Sequence, residues 1–147
     1  MQPAVTTRQL FAAVALLSIA GIAVSSVSLY DHHSSSPSSF CDFGGNFNCD
    51  LVNRSIYSTV LGIPVALIGI VGYVAIFVLA VYLRSSPSTP ARLLLASLLG
   101  LGFALYLTYV EAFVLAVWCV LCLSSLGLIL AIAVCSGLLL RSSRPAD

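Results

Sequence analysis

Four long stretches of this chain are almost free of charge, and that restricts the folds open to it more than any other feature. Residues 10–30, 62–83 and 119–140 contain no Asp, Glu, Lys or Arg, and residues 93–117 contain only Glu111. A helix needs about 20 apolar residues to cross a hydrocarbon core roughly 30 Å thick, so each stretch suffices for one crossing. The last two nearly touch. As one straight helix, residues 93–140 would reach roughly 70 Å at about 1.5 Å per residue, far beyond a bilayer. The chain must fold back, and equal division puts the bend at residues 116–119. Only 7% of the residues are charged and 60% are hydrophobic, whereas a soluble domain carries about 25% charged residues. A water-facing surface cannot be built from this composition. The expected fold is all-α: an integral membrane four-helix bundle, a single domain over residues 1–147, with spans near 10–30, 62–83, 93–117 and 119–140. A long outer loop, residues 31–61, joins helices 1 and 2.

Arginine placement sets the orientation. With both termini cytoplasmic, the inner segments hold Arg8, Arg84, Arg92, Arg141 and Arg144, and the outer ones hold only Arg54. The inner link RSSPSTPAR (residues 84–92) is polar and carries two prolines, as a turn should. No basic cluster suits nucleic acid, so no nucleic-acid partner is expected. The first stretch also resembles a secretory signal, but its apolar run exceeds the usual 7–15 residues of a signal core. The serine-rich DHHSSSPSSF before residue 41 suits a flexible surface approach to the loop.

The five cysteines then become informative. Cys41 and Cys49 bracket CDFGGNFNCD in the outer loop, and Cys119 and Cys122 form a C-x-x-C, WCVLC, at the outer start of the last helix. Cys135 falls about four turns further along and reads as a small buried hydrophobe. On a helix, residues i and i+3 share a face, so the two C-x-x-C sulfurs can meet. The helix N-terminus favours a thiolate there, the species that attacks disulfides. Leu123 follows the pair where haem attachment needs histidine. Three readings stay open from the residues alone. The loop pair can be a structural staple in an oxidising compartment. The four outer cysteines can hold a metal, although metal sites usually use two short-spaced pairs; no metal is expected here. Or the two pairs can relay electrons, the Gly44-Gly45 pair leaving the loop free to move. A relay at the lipid surface of an apolar bundle needs a lipid-soluble acceptor, which a quinone satisfies.

CDLVNRSIYSTVLGIPVALIGIVGY (residues 49–73) and YLTYVEAFVLAVWCVLC (residues 106–122) resemble the bacterial branch of the vitamin K epoxide reductase family. The resemblance runs from the first span to the last. It rests on a loop cysteine pair, a serine six residues after the second loop cysteine, LGIP opening the second span, and C-x-x-C at the start of the last. A similar four-helix family of thiol oxidases carries the two cysteine pairs in the opposite order.

The resemblance implies a quinone-dependent thiol:disulfide oxidoreductase that supports disulfide bond formation. Cys41 would exchange with a thioredoxin-like (DsbA-like) protein, separate because the chain ends soon after Arg141. Cys49 would attack Cys119 in the Cys119–Cys122 disulfide, and Cys122 would pass electrons to the quinone (menaquinone, ubiquinone or another vitamin K-like quinone). Ser55 would hydrogen-bond near the quinone, with residues 49–59 as a short helix over the bundle mouth. The implied location is a prokaryotic plasma membrane, redox cysteines on the extracytoplasmic face. Two departures weaken an epoxide substrate: no asparagine lies within residues 58–73, and Leu126 stands where vertebrate members have tyrosine. The competing reading is a non-enzymatic tetraspan, a transporter or assembly subunit with a structural loop disulfide.

Other candidates read more plainly. Glu111, the one acid inside a span, can offer a proton route to reduced quinone; the plainer expectation is that it lies near the outer end of its span and reaches the interface. Phe43, Phe47, Tyr57, Phe113 and Trp118 are candidate pocket or interface aromatics. His32 and His33 read as solvated loop residues, and Arg54 as a headgroup anchor or a partner of Asp50.

Overall fold

The computed structural model describes residues 5–35 and 44–144. Helix α1 (Thr7–His33) opens on a capping box in which Thr6 and Gln9 each bond the other's backbone N–H, at 3.3 and 3.0 Å. Such a box satisfies two donors that the first turn leaves free. The chain then forms a short helix α2 (Cys49–Asn53), a 3₁₀ turn (Ile56–Ser58), and a two-stranded hairpin of β1 (Thr59–Val60) and β2 (Ile63–Pro64). Helices α3 (Val65–Val81), α4 (Thr89–Tyr109) and α5 (Val120–Ser143) complete the bundle, with a π-helical turn over Val110–Leu115 extending α4.

Three helical stretches, Thr7–His33, Thr89–Leu115 and Val120–Ser143, are long and apolar enough to cross a membrane, and Val65–Val81 is a shorter apolar helix. The expected helical membrane bundle is present. Large apolar residues cover its outside, Leu16, Val71, Leu99 and Val134 among them, as lipid solvation requires.

Small residues mark the inward face of α1. The buried residues of α1 include Ser18, Gly21, Ser25 and Ser28, spaced by three and four, one stripe along the helix. A Cβ on Gly21 would lie 2.4 Å from the Tyr73 ring, so the absent side chain lets α3 approach. Close backbone approach through small residues is how helices associate where no hydrophobic drive separates protein from lipid. Helix α1 packs along α3 and α5, and α4 packs along α5, while α3 and α4 meet over less of their length. Leu10, Val14, Tyr73, Ile76, Leu93, Ile132 and Leu139 form the main core, with Cys135 packed against it.

The structure corrects two boundaries. The second span begins at Val65, not residue 62, because Leu61 (φ 53°) and Gly62 (φ 81°) turn the β1–β2 hairpin and Pro64 caps the helix. Residues 49–59 are not one helix. Helix α2 ends at Asn53, and Ser55 stands extended before the 3₁₀ turn.

Candidate functional site

The bend expected at residues 116–119 is built from two irregularities. The last turns of α4 widen into the π-helical turn, and Ala116 then takes a left-handed conformation (φ 53°, ψ 30°). Left-handed backbone is costly for a residue with a Cβ, and π-turns are frequent at functional sites. The next residues run extended. Trp118 N–H donates to the Asn46 carbonyl at 2.7 Å, and Asn48 N–H donates to the Trp118 carbonyl at 3.0 Å. Phe47 and Trp118 thereby pair as parallel strands, and the outer loop is zipped to the residue before Cys119.

That zipper brings the cysteines together. Asn48 caps α2 by accepting Leu51 N–H at 2.9 Å, which sets Cys49 in the first turn. Cys49 (1% exposed) and Cys119 (0%) belong to one buried cluster, with Val52 as its third buried member and Cys122 packed against it. Cys49 is disulfide-bonded, whereas Cys119, Cys122 and Cys135 are free thiols. Cys41 and Phe43 lie outside the described residues.

Cys119 occupies the N-cap of α5. Its thiol is held below the ordinary range, chiefly because the Cys122 side chain stabilises the thiolate by hydrogen bonding. The Cys122 and Leu121 backbone add to this, against burial and the charge of Glu111. Of the thiols at this end, Cys119 is therefore placed to act as nucleophile.

Behind the pair lies a cavity of about 440 Å³, lined by Asn53, Ser55, Tyr57, Tyr73, Glu111 and Cys122 together with apolar residues of α3 and α4. That size and mixture of apolar wall and few polar groups suit a small organic ligand. Ser55 donates its hydroxyl proton to the Val52 carbonyl at 2.8 Å, so toward the cavity it can only accept. Tyr73 reaches Ser125, at 3.0 Å to its carbonyl and 2.8 Å to its hydroxyl.

Two plain readings of the sequence change, and of the two alternatives for Phe113 the exposed one holds. Glu111 does not reach the interface: it is 1% exposed, and its Oε2 accepts the Cys119 N–H at 3.0 Å. The π-turn swings it inward. His32 is not a loop residue. It ends α1, and its Nδ1 lies 2.5 Å from the Asn53 carbonyl, so Nδ1 carries the proton, a carbonyl being acceptor only. Phe113 is 75% exposed and packs on Tyr109 at 5.0 Å between ring centroids, away from the cavity. Tyr57 does line it. Arg54 holds Asp50 at 2.8 Å, one turn along the chain.

Asn53 escaped sequence reasoning. It is 6% exposed, its Oδ1 accepts from Ser28 at 2.9 Å, and its Nδ2 is buried without a partner. The available signal was its spacing, four residues after Cys49, which puts both on one helical face.

Residues 12–136 match the family model described as Vitamin K epoxide reductase family. The match covers most of the chain and includes Cys49, Ser55, Cys119 and Cys122. Together with the apolar helical bundle, it makes this protein an integral membrane oxidoreductase that belongs to the vitamin K epoxide reductase family.

Proposed function

We propose that the protein moves electrons from a thioredoxin-like protein dithiol, through Cys41 and Cys49, to the Cys119–Cys122 pair and on to a quinone in the cavity. The observation that carries this reading is the burial of Cys49 and Cys119 in one cluster, beside a cavity lined by Cys122. The donor first reduces the loop disulfide through exchange at Cys41. The Cys49 thiolate then attacks the Cys119 sulfur of the inner disulfide, and Cys41 resolves the mixed disulfide, leaving Cys119 and Cys122 as thiols. A disulfide-bonded Cys49 beside free Cys119 and Cys122 is the arrangement that follows this transfer. Formation of the Cys119–Cys122 bond then sends two electrons and two protons to the quinone. A potential gap of about 30 mV supplies roughly 1.4 kcal/mol for each two-electron step. The acceptor is a menaquinone, ubiquinone or related vitamin K-like quinone, and the exchange face is extracytoplasmic.

The test is turnover of purified protein with a reduced thioredoxin-like donor and a quinone series. Cys119→Ala and Cys122→Ala are each expected to lower quinone reduction to background. Cys41→Ala is expected to stop the protein donor while sparing a small dithiol. Cys122→Ser is expected to accumulate a Cys49–Cys119 bridge. An active Cys119→Ala/Cys122→Ala double variant overturns the proposal, and a loop disulfide that never exchanges favours the structural staple.

A further inference from the structure

Quinone reduction consumes two protons, and among the described residues the cavity that would hold the quinone is lined by one carboxylate, Glu111. Glu111 is delivered there by the π-turn. Its Oε2 is committed to the Cys119 N–H at 3.0 Å, and its Oε1 is buried with no hydrogen-bond partner. A buried polar atom left without a partner is uncommon in folded proteins and calls for an explanation. The carboxylate and the Cys122 side chain line the same cavity. Catalytic bonds often tighten only once substrate is bound.

Of the titratable cavity groups other than the cysteines, Glu111 is the one hydrogen-bonded to the C-x-x-C itself. From α5 it faces Cys119 and Cys122. From α1, His32 lines the cavity with its Nδ1 proton given to the Asn53 carbonyl. From α3, the Tyr73 hydroxyl is engaged with Ser125. Asn53 and Ser55 are neutral. No lysine or arginine lines the cavity, so no cation there holds the carboxylate permanently charged.

We infer that Glu111 carries the protons of the quinone step, a role resting on the electron relay proposed above. As the Cys119–Cys122 bond forms, the two S–H bonds break and two O–H bonds form on the quinone. Oε1 takes the Cys122 proton and delivers it to one quinone oxygen, and the proton released by Cys119 follows through the same carboxylate to the other. Oε2 meanwhile holds the Cys119 backbone, so one side chain both positions the pair and empties it of protons.

Glu111→Gln separates these two duties, because a glutamine oxygen can still accept the Cys119 N–H but cannot carry a proton. Its quinone reduction is expected to fall about 100-fold, in the range of general acid–base contributions, with a flattened pH profile. Reduction of its C-x-x-C by a dithiol should fall far less than quinone reduction does, so Cys119 and Cys122 accumulate as thiols during turnover. Glu111→Asp and Glu111→Asn shorten the side chain equally and serve if the glutamine variant does not fold: the aspartate is expected to be at least about tenfold faster. Wild-type quinone turnover with an undiminished Glu111→Gln, or with equal Asp and Asn variants, overturns the inference and leaves the relay standing. A Glu111→Gln protein whose C-x-x-C no longer accepts electrons reduces the residue to positioning and also overturns it. Absence of quinone turnover in the wild type overturns the relay itself and the inference with it.

Discussion

The two ends of the bundle treat buried polar groups in opposite ways. Toward the arginine-rich end, buried hydroxyls bond to carbonyls a few residues back along the chain: Ser18 to Val14 and Ser136 to Ile132, both at 2.7 Å, and Thr89 to Leu83. The surroundings are regular helix and aliphatic core. At the cysteine end, some buried polar groups instead bond across elements, and some have no partner among the described residues. Ser28 of α1 reaches Asn53 of α2, Glu111 reaches Cys119, and Asn53 Nδ2 and Glu111 Oε1 have no partner. The backbone differs too, since Leu61 and Ala116, the two described non-glycine residues with positive φ, both lie at this end. A serine satisfied by its own helix costs little in lipid and specifies little. Polar atoms left over, on strained backbone beside a cavity, mark where stability is given up for chemistry.

That contrast can be broken experimentally. Trp118→Pro removes the N–H that zips the loop to the approach to Cys119. Transfer from a protein dithiol is expected to slow about tenfold, the equivalent of one lost buried hydrogen bond, while turnover with a small dithiol stays near wild type. Equal losses with both donors would mean that the zipper supports the fold and not the exchange.

Cys122→Ala probes the electrostatics of the pair. The Cys119 thiol lies below its ordinary value mainly through Cys122, so its thiolate survives to lower pH than a free cysteine's. Without that donor the titration moves upward, and less thiolate is present at neutral pH. Thiolate absorbance against pH reads this directly, and an unmoved curve would show that the helix N-terminus alone sets the value.

The smallest effects compare serines. Ser28→Ala strands Asn53 Oδ1 and should cost about 1–3 kcal/mol in unfolding. Ser136→Ala strands nothing and should cost no more than about 0.6 kcal/mol, the average for polar bonds between membrane helices. Equal costs would erase the distinction between the two ends.

Much of the architecture was legible because lipid imposes a local rule. Charge is so costly in hydrocarbon that its absence over some twenty residues announces a helix, and the length of residues 93–140 alone required the bend. The shared end of Cys49, Cys119 and Cys122 followed from spacing and arginine placement, whereas the Asp50–Arg54 pair was one of two readings the sequence left open. The start of α3 was not legible, because residues 62–64 are as apolar as the helix they precede and only their dihedral angles make them a hairpin. Phe113 and Glu111 sit two residues apart on one turn, and the π-turn, invisible in composition, sends one outward and the other in.

By itself, the sequence determined that this chain forms an apolar helical bundle suited to a membrane, and that Cys49, Cys119 and Cys122 share an end, since each is a sum over neighbouring residues. Only the tertiary structure decided which faces turn inward, that Asn53 and Glu111 border the cavity, and that Cys49 packs with Cys119. Those outcomes depend on contacts between residues tens of positions apart on helices that are apolar all round, where no periodicity marks the inner face.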